Sequence, residues 1–203
     1  MAIDFSFLQN RKPEIIGEGH VHEAAVCIPL IDRPDGPALL FQRRSEQIDQ
    51  QPGDICFPGG AIEAGETPQE AAVREMTEEL LVSEDQIELL GPGDLLVGDS
   101  VRIHSFVARL HGYDGRFSAD EVAEVFEVPL QFFLETKPNT YEIGWKPDFP
   151  EDFPFDKIYG GRDYQWGSHA YTMLFYEYGG HVIWGMTAKL TNAFAALCRR
   201  EGI

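Results

Sequence analysis

The chain has 203 residues, 16 of them Lys or Arg and 34 Asp or Glu, giving a formal net charge of −18. Nucleic acid and anionic membrane surfaces both need cations to neutralise their phosphates, so this balance argues against either as a partner. At 43% hydrophobic and 25% charged, the composition is that of a globular protein and not of a disordered one.

The length suits one domain spanning residues 1–203, with room for a sizeable insertion. The opening MAIDFSFLQNRKPEII carries an acid at Asp4 and no basic stretch followed by an apolar run, which is not the pattern of a secretory signal. No stretch approaches the ~18 apolar residues of a membrane span. A soluble, cytoplasmic protein is expected. Cys27, Cys56 and Cys198 are odd in number, far apart and without a C-x-x-C, so reduced core thiols are expected. His20 and His22 form an H-x-H pair before the first strand; with no third ligand in view they read as surface histidines and not as a metal site.

Glu23 to Ile31 and Ala38 to Arg43 read as strands joined by a turn at Pro34-Asp35-Gly36-Pro37. Asp54 to Phe57 is a short strand emptying into a glycine turn at Pro58-Gly59-Gly60. Thr67 to about Val82 is the strongest helix in the chain. Thr67 can cap it, Pro68 fits its first position, and Glu70 completes a T-x-x-E capping box. Further strands are expected at Ile87–Leu90, Leu95–Val97, Val101–Leu110, Tyr171–Tyr178 and His181–Trp184. A second helix is expected at Thr187–Arg200, with Leu190, Phe194 and Leu197 on one face. The pattern predicts an α+β or mixed-sheet α/β sandwich. The stretch 137–168 is rich in Pro, Gly, aromatics and acids, and reads as an insertion loop packed on the body. Its Phe149, Phe153, Phe155, Tyr164 and Trp166 could stack a base, but mutual packing is the simpler expectation.

On the helix from Thr67, 100° per residue puts Ala72, Val73, Met76 and Leu80 in one arc and Glu75, Glu78 and Glu79 in the next. Three carboxylates on adjacent turns repel one another unless they are solvated, paired or bound to a cation. A solvated face eased by Arg74 is one reading; a Mg²⁺ or Mn²⁺ site is the other, since hard cations take carboxylate oxygens.

Gly60, Glu66, Arg74, Glu75, Glu78 and Glu79 together resemble the Nudix box, G-x5-E-x7-R-E-U-x-E-E-x-G-U, where U is a bulky aliphatic. A chance match at six fixed positions in a chain this long is roughly one in a hundred thousand. One position departs: Leu81 replaces the glycine. Glycine there would end the helix in a left-handed residue, so this helix is expected to end differently, at Ser83. The resemblance implies the Nudix fold, an α/β/α sandwich with a central mixed sheet. It also implies hydrolysis of a nucleoside diphosphate linked to another moiety, by attack of water on phosphorus. By the same resemblance Glu75, Glu78 and Glu79 bind the metal, with the Gly60 carbonyl as a further ligand. Glu66 and Arg74 then form a structural ion pair. Glu121 and Glu124 are candidates for the general base. Homodimers are frequent among such proteins, though the sequence carries no interface signature.

Leu39-Leu40-Phe41-Gln42-Arg43-Arg44-Ser45, Gly53 and Phe57-Pro58-Gly59-Gly60 resemble the pattern preceding the box in coenzyme A pyrophosphatases, L-L-T-x-R-[SA]-x3-R-x3-G-x3-F-P-G-G. Here one extra residue precedes Arg44, Phe41 replaces Thr, and Asp49 stands in place of an Arg. Asp120–Leu130 and Trp184-Gly185-Met186-Thr187-Ala188 also look like that subgroup. The expected substrate is coenzyme A or an acyl-CoA, cleaved to 3′,5′-ADP and 4′-phosphopantetheine or its acyl form. The alternatives are an ADP-ribose or nucleotide-sugar pyrophosphatase and, in another class, a non-catalytic nucleotide-binding module of the same fold.

Overall fold

The computed structural model describes residues 21–203 apart from Asp99 and Ser168; His20 lies outside the described residues. The elements in chain order are β1 (His22–Ile31), β2 (Ala38–Arg44), β3 (Ile55–Cys56), β4 (Gly59–Ala61), α1 (Pro68–Leu80), β5 (Ile87–Val97), β6 (Val101–Leu110), β7 (Val122–Pro129), α2 (Leu130–Glu135), β8 (Asn139–Trp145), β9 (His169–Tyr178), β10 (His181–Trp184) and α3 (Gly185–Arg200).

Strand β1 runs through the middle of a seven-stranded mixed sheet. It pairs in parallel with β6, from His22 opposite Val101 to Leu30 opposite Arg109. Its other edge is shared by β2, opposite Leu30 and Ile31, and by β4, opposite Ala24 to Val26. Strand β5 extends the sheet beyond β6, and β3 and β7 extend it beyond β2. A strand apolar on both faces must be covered on both. Ala25 and Cys27 pack on one side with Ala71, Ala72, Met76 and Leu80 of α1. Ile28 and Leu30 pack on the other with Tyr176, Ile183, Ala188 and Ala195 of β9, β10 and α3. Helices therefore lie on both faces of a mixed sheet, the α/β/α sandwich expected. Strands β8, β9 and β10 form a second, antiparallel sheet. Its Tyr176 and Ile183 point into the core, while Tyr141 and Trp145 stay exposed.

Five local differences from the sequence reading have physical causes. Pro58-Gly59-Gly60 is not a free turn: Gly59–Ala61 pairs with β1. The close approach needs glycine, since a Cβ on Gly59 would sit 2.7 Å from the Val26 Cα. The two segments expected at 87–90 and 95–97 are one strand, because register shifts absorb Gly91-Pro92-Gly93. Within 137–168, Asn139–Trp145 is a strand and not loop. Phe149, Phe153 and Trp166 of that stretch pack on one another in tilted and edge-on contacts, with centroids 4.7–5.9 Å apart. The buried residues of α3 are Ala188, Leu190, Thr191, Ala195 and Cys198, so Leu190 of the expected face is buried while Phe194 and Leu197 flank the seam half-buried. Finally, α1 ends at Leu80 and not at Ser83. Leu81 itself takes the left-handed conformation, φ 51° and ψ 42°.

Candidate active site

Helix α1 starts where its sequence says it should. The Thr67 hydroxyl accepts from the Glu70 N–H and the Glu70 carboxylate from the Thr67 N–H, closing the capping box over Pro68. With its origin set, periodicity grades the three box glutamates. Glu79 lies inside the buried arc of Ala72 and Met76 and is 2% exposed. Glu75 flanks that arc and is half-buried, whereas the Glu78 side chain is 54% exposed. Reading the three as one solvated arc misses this order, although Glu79 sits three residues after Met76.

Arg74 ties the approach loop to this helix. Its Nε and one terminal nitrogen grip both Glu66 oxygens at 3.2 and 2.9 Å, and that nitrogen also donates to the Ala61 carbonyl at 3.1 Å. The other terminal nitrogen reaches Glu75 at 2.8 Å and Glu78 at 3.2 Å. A planar fork of five donors suits such a junction where a lysine would not. The Glu66 carboxyl is held below its ordinary value mainly by the Arg74 hydrogen bond.

The third carboxylate arrives from far along the chain. Ser118 N–H donates to the Glu79 carbonyl at 2.8 Å, and Ser45 N–H to the Glu121 carbonyl at 2.8 Å. This stitches the loop before β7 between the end of α1 and β2. Glu75, Glu79 and Glu121 thereby bring one oxygen each within 4.8 Å of one another. Burial pushes the Glu79 carboxyl up to about 7, against the 2.9 Å hydrogen bond from Gly59 N–H. Burial raises Glu75 as well, in spite of Arg74. Gly60 lies under the Glu75 carboxylate so closely that a methyl group there would collide with it. Gln42, fully buried beside Glu79, leaves its Oε1 without a hydrogen-bond partner.

Glu78 turns toward Arg74 and is not part of the trio. Glu124, the other base candidate, is also elsewhere. It lies within β7, not ahead of it, and bonds Arg43 and His181 Nε2, both at 3.1 Å. His181 in turn lies flat on Phe126 at 3.7 Å. These groups line a cleft of about 450 Å³ with Asp54, Ile55 and Trp184. His22 is exposed at the start of β1, and all three cysteines are free. Asp49, also exposed, lies between β2 and β3. No helix among the described residues is long and apolar enough to cross a membrane.

Three oxygen donors, two of them raised by burial, form an arrangement that a hard divalent cation relieves and that Cys or His ligation would not suit. A mixed sheet between helices, with a glycine-bounded loop presenting such a cluster, defines a class of phosphorus–oxygen hydrolase. The NUDIX domain family model matches residues 21–143, and the chain belongs to that family. It is a Nudix hydrolase. "Uncharacterized Nudix hydrolase NudL" of Citrobacter koseri is 32% identical, over 94% of this chain and 90% of that one. NudL of Escherichia coli O7:K1 is 34% identical with the same coverage. "Peroxisomal coenzyme A diphosphatase NUDT7" of Mus musculus is 32% identical, over 85% of this chain and 69% of its own.

Proposed function

We propose that the chain hydrolyses the diphosphate of coenzyme A or an acyl-CoA, with Mg²⁺ or Mn²⁺, to 3′,5′-ADP and 4′-phosphopantetheine or its acyl form. The observation that carries this reading is the convergence of Glu75, Glu79 and Glu121. Similarity to the mouse coenzyme A diphosphatase and the Leu39 to Gly60 pattern support the substrate. The stretch 137–168 is taken as an elaboration of a single domain.

In this reading Glu75 and Glu79 would hold the cation, with the Gly60 carbonyl and Glu78 as further ligands that the resemblance implies. When bound, the cation neutralises the diphosphate and acidifies the attacking water. Glu121, the exposed member of the trio, accepts the proton of that water as its oxygen bonds to phosphorus and the bridging P–O bond breaks. Glu66 and Arg74 keep loop and helix in register and stay out of the chemistry.

The test is mass spectrometry of products from coenzyme A and ADP-ribose with each metal. Cleavage of coenzyme A to 3′,5′-ADP is expected, and Glu79→Gln should lower the rate by about a hundredfold or more. Intact coenzyme A alongside cleaved ADP-ribose would move the substrate to nucleotide sugars. No metal-dependent turnover of either would favour a binding module.

A further inference from the structure

Gln42 is the one polar side chain in the buried run from Ala38 to Gln42 on β2. Side chains alternate along a strand, and Leu40 packs with Met76 and Leu80 of α1. Two residues on, Gln42 meets the same layer where the last turn of α1 presents Glu79. Val125 of β7 and Cys56 of β3 stand opposite it on either side. An apolar residue would fill such a position at lower cost.

The amide has a definite orientation. Its Nε2 donates to the Cys56 Sγ at 3.6 Å, and the side chain hydrogen-bonds the Glu79 carboxylate. Its Oε1 is buried with no partner among the described residues. A buried carbonyl left unpaired costs about 1–3 kcal/mol. Cys56 does not account for that cost, because a thiol is a weak acceptor. Glu79 does: turning the amide over would aim Oε1 at carboxylate oxygens, so the N–H end has to face them. Gly59 N–H holds Oε2 of the same carboxylate at 2.9 Å. Both donors favour its charged form against burial, and between them they set how it faces Glu75 and Glu121.

We propose that Gln42 is a positioning residue of the metal site: it orients Glu79 as a ligand without touching the cation, and the fold carries the unpaired Oε1 for that purpose. The inference rests on the metal reading of the trio above and is independent of which diphosphate is cleaved. A residue that merely filled the core would act on stability alone, and indifferently to Glu79.

Mn²⁺ titrations of the purified protein without substrate, read by electron paramagnetic resonance of the free ion, test it. At pH 8, where protons compete little for the carboxylates, Gln42→Met should bind Mn²⁺ about tenfold more weakly than wild type. Methionine is close in volume and has no carbonyl to orphan, so the metal-free Tm should hold or rise. In a Glu79→Gln background the same substitution should change Kd by less than about twofold, since the carboxylate that Gln42 orients is gone. Gln42→Leu repeats the comparison should the methionine variant fold poorly. Unchanged affinity, or an equal loss with and without the Glu79 carboxylate, would overturn the positioning role and leave the metal site standing. A wild type that takes up no Mn²⁺ would overturn both.

Discussion

Glu79 is 2% exposed, with the Gly59 N–H and the Gln42 amide for company and two other carboxylates nearby. Its folded-state pKa of about 7 lies above the ordinary 4.5, so the metal-free folded protein holds this proton more tightly than the unfolded chain. Stability from this group is full below about pH 4.5 and is lost as pH rises through 7, on the order of 3 kcal/mol. Metal-free urea titrations at pH 5 and pH 8 should show that drop, and Glu79→Gln should flatten it. An unchanged difference in the variant would mean that Glu79 is not the buried acid responsible. Cation binding needs the ionised form, so metal affinity should weaken as pH falls through the same range. At this scale α1 was readable because its residues share one helix, and spacing alone sets their neighbours. Glu121 was named only by resemblance, since nothing local links it to a helix more than forty residues earlier. Glu124 looked its equal until β7 carried it to His181.

Helix α1 stops at a residue badly suited to stopping it. A leucine in the left-handed region strains its Cβ by about 1–2 kcal/mol, and the Leu81 side chain is 47% exposed and gains little burial in return. Leu81→Gly should therefore raise stability by about 1 kcal/mol after the entropic cost of glycine, a rise of roughly 2–4 °C in Tm by calorimetry. A loss of stability instead would mean that Leu81 packing outweighs the strain. The expectation that helix α1 would run on to Ser83 failed because turn geometry around the helix end overrode the preference of one residue. Strand β8 was missed for another reason. Tyr141, Ile143 and Trp145 alternate with Thr140, Glu142 and Gly144, a clear period of two, but the prolines and glycines downstream coloured the whole stretch as loop. Strand β5 was split in two because Gly91-Pro92-Gly93 reads as a breaker, whereas an antiparallel partner tolerates it as a pair of irregularities.

At the scale of the molecule, a charge of −18 would seem ill-matched to an anionic substrate. Three of its acids, Glu75, Glu79 and Glu121, are gathered at one point, where a bound cation would offset their charge. The mixed α/β character was legible in the alternation of strands with two sequence-distant helices, and the α/β/α layering only through the resemblance carried by Gly60 to Glu79. Which strands neighbour one another was not, since pairing is settled by packing across the whole chain. The central pairing carries a consequence in time. β1 and β6 are parallel partners about eighty residues apart, and β2 meets β7 across a similar gap. Contacts of such separation form late, after the loop-closure entropy between them has been overcome. Glu121 reaches α1 only once β7 has docked, so the acidic trio is assembled near the end of folding. A divalent cation should then leave the refolding rate nearly unchanged and slow unfolding, at a hundredfold excess over Kd by up to about a hundredfold. Stopped-flow refolding and unfolding with and without Mn²⁺ measures both arms, and faster refolding would show that the trio forms early. The metal would thus set how long the folded chain lasts, and have little say in how quickly it arrives.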